Sequence, residues 1–297
     1  MQTNLKKILV YDLETGGLDF KQNSITEFAG VVIDMETLKI VDQLSVMFKP
    51  RLDLTWTEGK SSLQIAKVLY KNLAKKEEGD DVKSLSYKGE KLSIHSMEKL
   101  ALEIDEIFEW ELEFSRIVTE EQYLRLSSDK DNDNYDLIEL FFNNTYNPQA
   151  LSVTHMSKEL LIDEGVNYDE GFEKISNFFM KYKEGNSKPI LAGHNIKKFD
   201  NDFTEKLFES NRSSLDKFIN PLMIDTLEWA RLRWFDSSGG FSLGVCANNV
   251  GLTLKEAHRA LPDTIANAKF LIKMLESLRG EGSQESKYVR KKYDFNF

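Results

Sequence analysis

Asp12 and Glu14 stand two residues apart in the run KILVYDLETGG. Alternation along a strand puts both carboxylates on the same face at the strand's end. Two carboxylates held together repel each other unless a cation sits between them. The following Gly16-Gly17 pair lets the backbone turn sharply and approach a ligand closely. The plainer alternative is a strand that runs into a turn with two solvated acids. A second group is Gly193-His194-Asn195, followed by Phe199-Asp200-Asn201-Asp202-Phe203, where the buried-looking strand PILAG gives way to a helix. Asp200 could serve there only as an N-cap, which leaves His194 and Asn195 unexplained. The third group, His258-Arg259-Ala260-Leu261-Pro262-Asp263, immediately precedes the last long helix. Asp263 could again be a cap and His258 a polar loop residue, although an imidazole titrates near neutrality and suits proton transfer.

The elements that must position these groups are legible from periodicity. Lys7–Asp12, Thr26–Asp34 and Leu38–Phe48 read as three strands with short connections, which favours an antiparallel meander. From 51 to 147 the strand rhythm stops. Ser62–Lys76 and Met97–Phe108 space their apolar residues as amphipathic helices, Trp110, Leu112 and Phe114 alternate so as to fit strand or helix, and Ser127–Tyr135 reads as an exposed polar loop. Alternating helix and strand resumes at Pro148. Tyr168–Tyr182 is a helix, Pro189–Ala192 a strand, Asp200–Asn211 a helix and Leu222–Asp225 a strand leading into a helix from Thr226; Ser242–Val250 and Asp263–Leu278 follow as helices. A meander followed by alternating helix and strand predicts a mixed α/β sheet flanked by helices. The tail, 279–297, is polar with a basic cluster at Arg290, Lys291 and Lys292, expected to be mobile or a docking element.

The bulk properties set limits. A chain of 297 residues can bury a sizeable core as one large domain or one domain with an elaboration. A single cysteine forms no internal disulfide, which fits a reducing compartment. The N-terminal apolar run is short and ends in acids, so it reads as a first strand rather than a signal peptide. No apolar stretch reaches the length of a membrane span; the expected location is cytoplasmic. The net charge of −10 argues against nucleic-acid binding by electrostatics alone. Most of that charge lies between Arg51 and Asn147, where 13 Lys or Arg face 21 Asp or Glu. It therefore does not exclude a nucleic-acid enzyme whose site carries divalent cations.

The order of the three groups is Asp-x-Glu, an Asp after a His-Asn turn, then His-x4-Asp. This resembles the DEDDh 3′–5′ exonuclease superfamily (DnaQ-like), which includes the proofreading exonuclease subunit of bacterial DNA polymerase III and oligoribonuclease. The segment 147–161, Ile224-Asp225-Thr226-Leu227 and Ser242-Leu243 sit where the family has similar residues. The resemblance covers roughly 5–50 and 148–278 and implies a ribonuclease-H-like fold, with 51–147 as a largely helical, acidic insertion after the third strand. It also implies that Asp12, Glu14, Asp200 and Asp263 hold two Mg²⁺ or Mn²⁺ ions, hard cations suited to carboxylates, with Asp12 bridging and His258 as the general base. Thr15, Gly16 and Leu18 match positions that grip the terminal 3′-hydroxyl and wedge the last base, and Thr154 and Asn195 fall in substrate-contact segments. The chain departs from the pattern in the insertion, in one extra residue between Asn195 and Phe199-Asp200, which makes Asp202 a competitor of Asp200, and in Thr154, which replaces a frequent His and leaves the role of neighbouring His155 open.

The implied reaction is hydrolysis of terminal phosphodiesters, first of single-stranded DNA or frayed 3′ ends in proofreading, repair or degradation, releasing nucleoside 5′-monophosphates. The alternatives are an exoribonuclease of the same superfamily, or a subunit that binds a polymerase or other replication protein through the insertion. Cys246, Trp229 and Trp234 read as core, His95 as a surface or capping residue, Asp225 as structural, and the acids of 129–136 as a solvated loop without the Gly and Glu of a calcium loop.

Overall fold

A computed structural model of the protein describes residues 6–74, 86–88, 90–91, 93–185, 187–234, 238–252 and 259–280. His258 and the basic cluster of the tail lie outside the described residues. Five strands form the main sheet: β1 (Lys7–Thr15), β2 (Ile25–Asp34), β3 (Lys39–Met47), β4 (Ile190–Gly193) and β5 (Met223–Asp225). Their spatial order is β3-β2-β1-β4-β5. The central strands are apolar on both faces, and residues 8–11 of β1 and 25–33 of β2 are buried. β3 lies at an edge, and KIVDQLSVM alternates exposed and half-buried positions, as a strand with one solvated face should.

The sheet is mixed. Backbone bonds from Met35 to Lys6 (3.0 Å) and from Gly16 to Ser24 (2.8 Å) make β1 and β2 antiparallel. β4 runs parallel to β1, with Ile8 opposite Ile190, and β5 runs parallel to β4. The expected strands are therefore present, with β1 extending three residues beyond Asp12 so that Glu14 is still part of the ladder.

The helices in chain order are α1 (Ser62–Ala74), α2 (Ile94–Glu106), α3 (Glu120–Ser127), α4 (Tyr135–Thr145), α5 (Pro148–Val153), α6 (Lys158–Glu164), α7 (Tyr168–Lys181), α8 (Asp200–Ser210), α9 (Thr226–Arg233), α10 (Leu243–Asn249) and α11 (Ala260–Arg279). The chain divides into two compact units. The first comprises 1–14, 27–46 and 172–297; the second comprises 15–26 and 47–171.

In the first unit the two sheet faces have different covers. Ile8 and Val10 of β1, with Val31 and Ile33 of β2, pack against Ala268, Leu271 and Leu275 of α11. Tyr11 lies on the opposite face and stacks on Phe28 (5.8 Å), which approaches Phe179 of α7; Phe179 stacks in turn on Phe208 of α8. The period of two along β1 divides its side chains between these covers. Residues 8, 10, 12 and 14 share the α11 face, and 9, 11 and 13 share the other.

The second unit contains the whole segment 51–147 together with α5 and α6. It is helical as expected, but it is no loose acidic appendage. Ile65, Leu69, Leu100, Ile104, Tyr123, Phe141, Phe142, Tyr146, Leu151 and Leu161 form one buried cluster. The alternating Trp110–Phe114 stretch is neither strand nor regular helix. Ile107–Glu111 forms a π-helical turn, and Glu113 and Phe114 follow in left-handed conformation.

Gly16 also belongs to this unit. A Cβ added there would lie 2.3 Å from the Thr145 carbonyl oxygen and 2.8 Å from Tyr146 Cα. Both are backbone atoms that cannot swing aside, so Gly16→Ala should cost about 1–3 kcal/mol of stability, as overpacking does. A chemical melt read by tryptophan fluorescence would check this, and an unchanged midpoint would contradict it.

Candidate active site

The site is assembled in the first unit from three elements. β1 contributes Asp12 and Glu14 from the face turned to α11. α11 contributes Asp263 from its first turn. Carboxylate oxygens of Asp12, Glu14 and Asp263 all lie within 4.8 Å of one another, a spacing able to hold a cation. Asp200 begins α8 and is buried; its Oδ1 accepts the Leu13 backbone N–H at 3.1 Å, between the two β1 acids. This bond ties the start of α8 to the strand that carries Asp12 and Glu14.

Electrostatics record how crowded these anions are. Burial, followed by the fields of Asp200, Glu14, Asp263 and Glu27, pushes the Asp12 carboxyl well above its ordinary range. Glu14 is pushed up to about 8 by burial and by Asp263, Glu27 and Asp200, with Arg259 opposing. Burial raises Asp200 to about 7, against the lowering effect of its backbone donors. Clustered carboxylates whose ionised forms are disfavoured by burial and by one another fit a divalent cation, which supplies the opposite charge.

The two competitors in the second motif differ in setting. Asp200 is buried and bonded to β1, whereas Asp202 is half-buried two residues further along α8. Neither acts as an N-cap: Phe199 is the flanking residue and makes no side-chain cap bond. Asp263 is not a cap either, because α11 begins at Ala260, three residues earlier than the periodicity suggests. Pro262 is tolerated there because a first-turn residue needs no backbone donor.

His194 and Asn195 follow β4. Asn195 is left-handed (φ 68°), and its N–H donates to Asp225 Oδ1 at 3.0 Å. Asp225 also accepts from Leu227 N (3.0 Å) as the cap of α9, so the structural reading of this buried acid accounts for its contacts. His194 places Nε2 2.8 Å from the Phe241 carbonyl and Nδ1 3.1 Å from Thr226 Oγ1. Burial lowers its pKa below the ordinary imidazole value, against the Phe241 carbonyl and Asp225. Thr226 Oγ1 also donates to Asn267 Oδ1 at 2.8 Å, so the imidazole, the hydroxyl and the amide form one polar group. Sequence reasoning does not foresee this polar network; the buried-looking strand ending directly in His-Asn is its only signal.

The remaining expected site residues belong to the second unit. Thr15 Oγ1 donates to the Gly17 carbonyl (2.7 Å), and the Gly16 carbonyl accepts from Asn147 N (2.6 Å). Leu18 is 88% exposed, as a residue free to touch a ligand must be. Thr154 is buried and its hydroxyl is turned onto the carbonyls of Ala150 and Leu151, while His155 beside it is exposed and left-handed (φ 55°). Cys246 is buried in the core, Trp229 and Trp234 pack against core clusters, and His95 is exposed in the first turn of α2. Among the described residues, no helix is long and apolar enough to cross a membrane.

Glu27 is the site residue that sequence reasoning misses. It is buried on β2, accepts from Arg259 and from the Ala260 amide, and adds to the field at Asp12 and Glu14. A lone acid in the otherwise apolar run ITEFAGVVI is the available signal.

No family model matches the chain. Over 109 residues, 37% of the chain, it is 32% identical to a DNA polymerase III PolC-type from Bacillus cereus, of which the match covers 7%. Over 142 residues it is 30% identical to a DNA polymerase III PolC-type from Caldanaerobacter subterraneus, covering 48% of the chain and 10% of that polymerase. The chain thus corresponds to a small part of these relatives. Among solved structures it resembles E. coli Exonuclease I in complex with a dT13 oligonucleotide (TM-score 0.53, 13% identity), covering 96% of this chain and 42% of that one. It also resembles the nuclease domain of 3′hExo, a DEDDh family member, bound to rAMP (TM-score 0.50, 11% identity), covering 93% of this chain and 94% of that one. These neighbours are exonucleases, one of them a DEDDh family member, and the fold is the ribonuclease-H-like mixed sheet flanked by helices that they share.

Proposed function

We propose that the protein is a divalent-cation-dependent 3′–5′ exonuclease that hydrolyses the terminal phosphodiester of a nucleic-acid strand. The observation that carries this reading is the cluster of Asp12, Glu14 and Asp263, with Asp200 tied to the strand between the first two. Such a cluster on this fold is what a two-ion phosphodiesterase requires.

In this reading Asp12, Glu14, Asp200 and Asp263 hold Mg²⁺ or Mn²⁺. When bound there, the ions supply Lewis acidity to the attacking water and charge stabilisation to the leaving 3′ oxygen. The protein's own side chains do the rest. Asp200 is held to Leu13 N, which fixes its direction. His258, in the motif His-x4-Asp, takes the proton of the attacking water as general base. Thr15, Gly16 and Leu18 grip the strand end, with Thr154 and Asn195 contributing contacts, and stacking on apolar side chains makes binding indifferent to base identity.

Single-stranded DNA is the first expected substrate, in proofreading or repair beside a polymerase, a setting suggested by the likeness to a segment of PolC-type polymerases. RNA is the second reading, favoured by the likeness to a nuclease domain bound to rAMP. Digestion of matched 5′-labelled DNA and RNA single strands tests both. A ladder shortening from the 3′ end with Mg²⁺ or Mn²⁺, lost in EDTA and in Asp12→Ala and His258→Ala, is the expected result, and the faster ladder identifies the sugar. Folded protein with added cation that leaves both substrates intact would refute the proposal.

A further inference from the structure

α11 starts without a cap of its own. Arg259 occupies the N-cap position in extended conformation and makes no side-chain cap bond, so the first amides of the helix need an acceptor from elsewhere. Glu27 supplies it from 233 positions away. Its Oε2 accepts the Ala260 N–H at 3.2 Å and Arg259 Nε–H at 3.1 Å, while Oε1 accepts from Arg259 Nη2 at 3.3 Å and from the Ser45 hydroxyl at 3.2 Å. Glu27 is 3% exposed. Its parity along β2 is that of Val31 and Ile33, so it points at the same helix they pack against.

A buried carboxylate whose field reaches Asp12 and Glu14 is costly unless its bonds serve something. We propose that Glu27 and Arg259 form a positioning clamp that seats the first turn of α11 on β2 and thereby sets Asp263 against Asp12 and Glu14. This inference rests on the reading of the carboxylate cluster as a cation site. Asp263 lies one turn after Arg259, and Thr264 closes the same contact through its hydroxyl to the Ala29 carbonyl (3.4 Å). A fork of two guanidinium donors plus one amide on a single carboxylate fixes both the height and the rotation of the helix end, which one ion pair alone would not.

Charge and position make opposite forecasts for Arg259, and that separates them. Arg259 is a cation beside Glu14, so on electrostatics alone its removal should tighten cation binding. If it positions Asp263, its removal should weaken binding, and partners that orient metal ligands typically account for about 10–100-fold in affinity. The experiment is Mn²⁺ titration of the full-length protein by calorimetry, comparing wild type, Arg259→Gln and Arg259→Lys, with circular dichroism confirming the fold of each. The expected result is Mn²⁺ affinity reduced about 10-fold or more in Arg259→Gln. Arg259→Lys should also lose affinity, because an ammonium keeps the charge but not the fork. At limiting Mn²⁺ both variants should lower kcat on an oligonucleotide without changing KM, and excess Mn²⁺ should restore it.

Wild-type affinity or better in Arg259→Gln would overturn the clamp. If that variant does not fold, Arg259→Lys decides by the same criterion. Wild-type protein that binds no Mn²⁺ would overturn the cation-site reading, and the clamp's purpose with it.

Discussion

Asp12→Asn should reduce hydrolysis on the order of a thousandfold while leaving the metal-free protein at least as stable as wild type near neutral pH. The two halves have one cause. Asp12 is where the fields of Asp200, Glu14, Asp263 and Glu27 converge, and burial and those anions make its ionised form costly, raising its carboxyl well above the ordinary range. Asparagine keeps the shape and removes one charge from a cluster that repels itself. The folded state therefore loses repulsion, and the site loses the ligand that faces all the others. Thermal melts in EDTA beside rates on a 5′-labelled oligonucleotide with Mn²⁺ would measure both. An inactive variant that also melts lower would mean that Asp12 supports the fold, and an active variant would remove it from the reaction. The pairing matters because most buried substitutions destabilise, and a site that is a cation cradle should break that rule.

The same crowding explains what can and cannot be read from the chain. Asp12 and Glu14 are legible because period two along a strand fixes their shared face from sequence alone. The strands and most helices are legible for the same reason: β1 and β2 are near-continuous apolar runs, and α7 carries its aromatic face at helical spacing. The start of α11 is not, because Pro262 suggests a boundary and the cap comes from Glu27, distant in sequence. Sequence alone does not separate Asp200 from Asp202, since the burial of Asp200 and its bond to Leu13 N are set by tertiary structure. The acidic segment 51–147 shows its helices but not its aromatic core, which is assembled from side chains as far apart as Leu52 and Tyr146. Glu27 is within reach of sequence reasoning: its parity matches Val31 and Ile33, so it has to face whatever covers them.

Without metal, the protein should lose thermal stability as pH rises from about 4.5 to about 8, and saturating Mn²⁺ should flatten or reverse that trend. Glu14 carries the argument. Burial first, then Asp263, Glu27 and Asp200, raise it from 4.5 to about 8. The folded state therefore holds a proton that the unfolded chain releases near the ordinary carboxylate pKa. A group raised in this way contributes most to stability below its unfolded pKa and loses that contribution as pH climbs to its folded value. Asp200, raised to about 7, acts in the same direction. Carboxylates lowered by partners, such as Asp34 beside Lys7, have the opposite slope, but they titrate below this window. A bound cation competes with these protons, so its stabilisation grows with pH and reaches about 2.7 kcal/mol at a concentration roughly 100 times its dissociation constant. Each kcal/mol should move the melting temperature by about 2–4 °C. Glu14→Gln supplies the internal control, because a neutral side chain cannot titrate and contributes no charge to the site. Its melting temperature in EDTA should vary less with pH than that of wild type, and Mn²⁺ should raise it less. Equal slopes in the two proteins would place the pH dependence elsewhere, and an equal Mn²⁺ shift would remove Glu14 from the cation site.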